Sequence, residues 1–276
     1  MFQFQKPEIN FQRTPVTLIV AAIVVALEVV CTLDELPGAP GGSRRFAYYN
    51  DYLGILPRLW AGELWRPFTS TLMHGGLIHA AFNVYWLMIF GPPLENRFGS
   101  YRFCGLIVLL GYASMMPEYV IGSYRRVNPI MIVGLSGVVY GLFGVVFVGR
   151  RRHAYLRAVC DDATVKLLLG WFFLCILLTY AGLMPVANIA HGAGFVFGVL
   201  YGMAVFDVAN RLRWTLASVA ATLLVAATLV VCPGHNAYEH IKRTGRLWWR
   251  GPFSRTIEAP DFSPTCASFG RRPFSP

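Results

Sequence analysis

Seven apolar stretches alternate with short polar segments along the chain, at residues 14–33, 71–90, 103–122, 133–149, 167–183, 187–206 and 214–232. A bilayer core about 30 Å thick is crossed by about 20 apolar residues in a helix. Inside lipid every backbone group must be satisfied within its own segment, and a helix does this. The pattern therefore predicts an all-α, polytopic membrane helix bundle. The first stretch is apolar apart from Glu28 and follows a polar segment, 1–13, that carries Lys6 and Arg13. It is too long for a signal peptide and no small-x-small cleavage site follows, so it reads as a retained span.

Residues 34–70 form a long mixed segment with Pro37, Pro40, Trp60, Trp65 and Phe68, interfacial rather than spanning. Gly91-Pro92-Pro93 is expected to close the second span, and Pro117 and Glu118 weaken the end of the third. Met184-Pro185 makes a tight turn between the fifth and sixth, and 233–276 reads as a polar, disordered tail. The expected organisation is a cytoplasmic segment 1–13, a six-helix core 14–207 with the large first loop 34–70, an additional transmembrane helix within 208–232, and the tail.

Composition agrees with the bilayer as solvent. Of 276 residues 55% are hydrophobic and 14% charged, and the mean hydropathy is +0.50; a soluble domain carries about a quarter charged residues. The net charge of +10 could suggest nucleic acid, but the cations sit between apolar stretches, as membrane-surface residues do, so no nucleic-acid partner is expected. With the N-terminus inside, the inner connections hold eleven Lys and Arg and the outer ones six. The first six spans are ordered on that count. Six scattered cysteines indicate neither a disulfide framework nor a zinc site.

In this topology the second, fourth and sixth spans all enter from the outer side. They carry His79 and Asn83 about two turns in, Ser136 about one turn in, and His191 about one turn in, so three separate segments bring polar groups to one depth. Intramembrane polar residues are costly and mark function by default. His79 and Asn83, four apart, share a helix face, whereas His74 is five residues before His79 and is expected to point elsewhere. Ser136 lies in Gly134-Leu-Ser-Gly137-Val-Val-Tyr140-Gly141, and Gly194, Gly198 and Gly202 line one face of the sixth span. Small residues let helices meet closely, which would set His191 against Ser136. An imidazole in reach makes a serine hydroxyl a nucleophile. No Asp or Glu is placed for a triad, so a Ser136–His191 dyad is implied, with Tyr140 bracing the imidazole. The Ser136 N–H at a helix start, with His79 and Asn83 as side-chain donors, would form an oxyanion hole. Taken singly, each residue has a plainer reading: a packing serine, a buried histidine, an interhelical asparagine. Metal is not expected, since spacing of five splits His74 from His79 and no carboxylate or cysteine sits nearby.

These residues resemble the rhomboid intramembrane serine proteases. Gly134-Leu-Ser136-Gly137 is similar to that family's nucleophile motif, Ala190-His191-Gly192-Ala193-Gly194 to its sixth-helix motif, and His74-Gly-Gly-Leu-Ile-His79-Ala-Ala-Phe-Asn83 to its second-helix signature. Trp65-Arg66, and Leu94-Glu95 with Gly99, Arg102 and Phe103, are similar to its loop motifs. The resemblance covers about 58–207. It implies Ser136 as nucleophile, His191 as base, and His79 and Asn83 as oxyanion donors. It also implies a six-helix core, no cofactor or metal, and a bacterial inner membrane. Single-span membrane proteins would be the substrates, cut near the outer face. The alternatives are a non-catalytic relative binding client helices, and a transporter, for which the apolar inner halves of the spans offer no polar path.

Overall fold

In a computed structural model, the chain is described over residues 13–33, 49, 52–54, 59, 62–124, 133–184 and 186–231. The expected tail 233–276, residues 1–12 and most of the expected loop 34–70 up to residue 61 lie outside the described residues. Among the described residues seven long helices carry the fold: α1 (Pro15–Thr32), α2 (Leu77–Phe98), α3 (Ser100–Tyr124), α4 (Ser136–Gly149), α5 (Asp162–Tyr180), α6 (Asn188–Phe206) and α7 (Arg211–Val231). A single turn at Arg66–Thr69 precedes α2, and a short helix, Ala154–Val159, joins α4 to α5. There are no strands among the described residues. By length and composition α1, α2, α3, α5 and α6 are each long and apolar enough to cross a membrane.

The centre is α4. Twelve of its fourteen residues are buried, as expected for a helix that is apolar on every side. At 14 residues it is about 21 Å long, shorter than the expected span 133–149 and too short to cross alone. It does not need to, because α2, α3 and α6 pack around it. α4 and α6 run parallel in the closest contact of the bundle. A Cβ on Gly194 would overlap the Gly137 carbonyl and one on Gly198 the Gly141 carbonyl, while one on Gly144 would stand 2.8 Å from the Val199 nitrogen. The glycine faces therefore meet as their spacing predicts. α1 and α7 lie outside this layer, and α5 is the least buried of those five helices, at 11%. Leu167, Phe173 and Leu177 of α5 and Ile19 and Val25 of α1 are exposed, an apolar outer surface suited to lipid.

Gly91-Pro92-Pro93 does not close the second span: α2 continues to Phe98 with both prolines inside it. Proline φ is helical, and the residue before Pro92 has no Cβ to clash with the ring. Gly91 also lets α1 approach, since a Cβ there would stand 2.7 Å from the Thr17 side chain. Beyond the prolines, Glu95 is fully buried and fastens α2 to the start of α1. Its carboxylate accepts from the N–H groups of Val16 (2.9 Å) and Thr17 (2.8 Å), the Thr17 hydroxyl (2.7 Å) and the Ser100 hydroxyl (2.8 Å). A carboxylate at a helix N-terminus satisfies orphan donors and complements the helix dipole.

Candidate active site

Three residues before α4 decide where it begins. Gly134 has φ +120°, a conformation that glycine reaches without cost, and its N–H donates to the Ser70 carbonyl at 3.3 Å. The Leu135 N–H donates to His74 Nε2 at 3.2 Å. A ring nitrogen that accepts is unprotonated, so Nδ1 of His74 carries the proton and donates to the Leu72 carbonyl, 3.2 Å away. With these groups engaged the helix cannot extend backwards. Ser136 is therefore the first residue of α4, not a turn inside it as its sequence position suggested. The opening N–H groups of a helix have no acceptor within it, so those of Ser136 and Gly137 start with donor capacity to spare.

α6 is fixed from two sides. Its Ala190 N–H donates to Glu118 Oε2 of α3 at 2.9 Å. At its first residue, the Asn188 side chain donates to Thr179 Oγ1 at 2.9 Å, and that hydroxyl donates to the Met184 carbonyl at 3.0 Å. The residue after Ala190, His191, is 4% exposed, and its Nε2 lies 2.7 Å from Ser136 Oγ. The Tyr140 ring stacks on the imidazole, with centroids 4.8 Å apart and planes at 26°. Tyr140 in turn donates its hydroxyl to the Leu168 carbonyl of α5 at 3.0 Å. Nδ1 of His191 has no hydrogen-bond partner among the described residues. In place of a carboxylate at this ring stands the π-face of Tyr140, which can stabilise an imidazolium.

The remaining residues divide. His79 lies against the loop before Ser136: a Cβ on Gly134 would stand 2.9 Å from its Nε2, and the ring nitrogens of His79 have no hydrogen bond among the described residues. Asn83 is buried but donates back into its own helix, to the His79 carbonyl at 3.0 Å, which leaves one N–H of its amide. Gly137 allows α3 and α6 to close on the serine: a Cβ there would stand 2.6 Å from Ser114 Oγ and 3.3 Å from the Ala190 carbonyl. His74 corrects the sequence reading. Its ring lies edge-on to that of His79, centroids 4.9 Å apart, because residues 73–76 are not helical and spacing by helix faces does not apply to them. Even so, no group of three His, Cys, Asp or Glu that could hold a metal occurs among the described residues.

Two contributors escaped the sequence reading. His74 sets the start of α4, and Gly75-Gly76, directly after it, are the signal that the helix had not yet begun. Glu118 holds the N-terminus of the helix that carries His191; the signal was a carboxylate at the same end of the bundle as that N-terminus.

A family model described as the Rhomboid domain matches residues 61–208. Among curated relatives, the rhomboid protease GlpG of Haemophilus influenzae is 33% identical over 180 residues, covering 65% of this chain and 88% of that protein. The rhomboid proteases GlpG of Salmonella newport and Salmonella heidelberg are each 34% identical over 158 residues, 55% of this chain. The chain spans about half of their length, 52%. With the matched segment covering the polar cluster and the multi-pass helical bundle around it, the chain belongs to the rhomboid family of intramembrane serine proteases, integral membrane hydrolases.

Proposed function

We propose that the protein cleaves single-span transmembrane proteins near the outer face of the membrane, using Ser136 as nucleophile and His191 as general base. The observation that carries this reading is the 2.7 Å contact between Ser136 Oγ and His191 Nε2. It joins residues 55 apart in sequence, in a buried setting, at the end of the bundle that the charge count assigns to the outside. In the first step Nε2 takes the hydroxyl proton while Oγ attacks the scissile carbonyl carbon, and the carbonyl oxygen becomes an oxyanion. The C–N bond then breaks as His191 returns its proton to the leaving amine. Water, deprotonated by the same imidazole, hydrolyses the acyl ester and frees Ser136.

Donors for the oxyanion would be the Ser136 N–H at the start of α4, a ring N–H of His79, which has no hydrogen bond among the described residues, and the second amide hydrogen of Asn83. Tyr140 would hold the imidazole and stabilise its protonated form. Gly134 and Gly137 supply the turn and the close approach of α3 and α6. The thinly packed α5, which meets α2 through Phe82 and Trp171 at 5.4 Å, supports lateral entry of a substrate helix on that side. No cofactor or metal enters this chemistry. Relatives in Haemophilus influenzae and Salmonella support a bacterial inner membrane.

The test is cleavage of a generic single-span substrate in liposomes, with labelling by a fluorophosphonate and the cut located by mass spectrometry. The expected result is a labelled Ser136 and a cut at the outer end of the substrate's apolar stretch. A folded protein that neither cuts nor labels would overturn the reading in favour of client binding without cleavage. In the same assay Asn83→Ala should lower turnover about 10²-fold without abolishing it, the usual effect of losing one oxyanion donor among several. An unchanged rate would remove Asn83 from that role.

A further inference from the structure

The end of the bundle opposite Ser136 carries two hollows that the proteolytic reading leaves unused. Phe147, Val148, Val199, Met203 and Phe206 line a groove of about 350 Å³ between the ends of α4 and α6, and Arg151, Arg152 and Asp207 complete its wall. Beside it, a hollow of about 380 Å³ is lined by Phe147, Arg150, Arg151, Arg157 and Asp162. Phe147 and Arg151 belong to both. One compartment is mostly apolar and its neighbour is cationic.

The charges there do not cancel. Arg150 is paired with Asp162, and Arg152 reaches Asp207 at 3.5 Å. Asp207 is further engaged by the Asn210 amide and the Trp214 indole N–H, each at 3.1 Å; these bonds, with Arg152 beside it, hold its carboxyl below the usual range. Asp161 accepts the Thr164 N–H that caps α5. Among the described residues Arg157 bonds only the Arg150 carbonyl, and Arg151, exposed, lies 5.8 Å above the Phe147 ring with no carboxylate partner there. Two guanidinium groups thus stand uncompensated beside an apolar groove. The field extends to His153, which burial and then Arg97 and Arg152 hold below its ordinary pKa.

We infer that these two hollows bind one anionic phospholipid, its phosphate on Arg151 and Arg157 and an acyl chain in the groove of Phe147, Val199 and Met203. Guanidinium groups pair with phosphate through charge-assisted hydrogen bonds, and cationic pockets at helix ends are suited to anionic headgroups. A free phosphate would use the cations and leave the groove empty. A zwitterionic lipid would bring its own cation against two that already lack a partner. The inference does not depend on Ser136 and holds or fails apart from the proteolytic reading.

The experiment is thermal unfolding of the full-length protein in non-ionic detergent with added phosphatidylglycerol, with phosphatidylcholine of the same chains, or with inorganic phosphate. A ligand that binds only the folded state raises Tm. Phosphatidylglycerol should raise Tm by several degrees more than phosphatidylcholine, and inorganic phosphate should leave it unchanged. Arg151→Gln and Arg157→Gln should each remove most of that difference, and Met203→Trp, which fills the groove, should remove it with the cations intact. Lys166→Gln, a nearby cation outside both hollows, should keep it. An equal response to both lipids, or a full response in Arg151→Gln and Arg157→Gln, would overturn the proposal. A phosphate response as large as the lipid response would instead make this a small-anion site.

Discussion

Ser136→Ala is expected to reduce cleavage of a single-span substrate by at least about 10⁴-fold while the protein stays folded, because groups acting as one nucleophilic unit fail together. The substitution deletes the hydroxyl that bonds His191 Nε2 at 2.7 Å, and leaving one buried nitrogen without its partner costs about 1–3 kcal/mol. His191→Ala should fall by a similar factor, since a neutral serine hydroxyl is a poor nucleophile without its base. The double variant should be no worse than either single one. That non-additivity separates a dyad from two residues each contributing binding. Rates of the three variants with their unfolding curves check this; activity within tenfold of the native protein in folded Ser136→Ala would rule the dyad out.

Gly198→Ala is expected to destabilise the protein by about 3 kcal/mol, the upper part of the range for overpacking a filled interior. The added Cβ would fall on the Gly141 carbonyl. That atom belongs to the backbone of the central helix, so no rotamer change relieves the overlap and α4 and α6 must separate. In a chain of this size the destabilisation corresponds to a fall in Tm of about 6–12 °C. Activity should fall with it, although residue 198 is two turns from His191, because the same helix contact sets the Ser136–His191 distance. Gly170→Ala is the control. A Cβ there meets nothing within 4 Å, and alanine in a helix interior is favoured over glycine by about 0.5–1 kcal/mol. Scanning fluorimetry of both variants with parallel cleavage assays decides it; a Gly198→Ala protein as stable and active as the native one would mean the helices are not held by this contact.

Much of this architecture was legible because its signals are local. The expected spans 14–33 and 187–206 fall within one residue of Pro15–Thr32 and Asn188–Phe206. The glycines at 194 and 198 named the face on which α6 meets α4. The pairing of Ser136 with His191 followed from two depths and one packing face. Tyr140 was expected to brace the imidazole, and its ring stacks on it. The errors share a different cause. Gly91-Pro92-Pro93 looked like a helix end because proline removes a donor. His74 was assigned a face on a helix that starts only at Leu77. The 14-residue length of α4 was hidden because residues 133–135 are as apolar as the helix they precede.

The sequence by itself determined a multi-pass helical bundle, its approximate spans, and the residues that could act as nucleophile, base and donors, since apolar length, glycine spacing and side-chain chemistry are properties of neighbouring residues. Tertiary structure alone decided three things: that Ser136 opens α4, that Glu118 and Glu95 hold the first turns of α6 and α1, and that Arg151 and Arg157 are left without acidic partners among the described residues. Each depends on which donor finds which acceptor across 61 to 79 residues of chain, or fails to find one. Such pairing is settled only when the backbone brings distant groups within hydrogen-bond reach, where a buried donor left unsatisfied costs more than the turn needed to satisfy it.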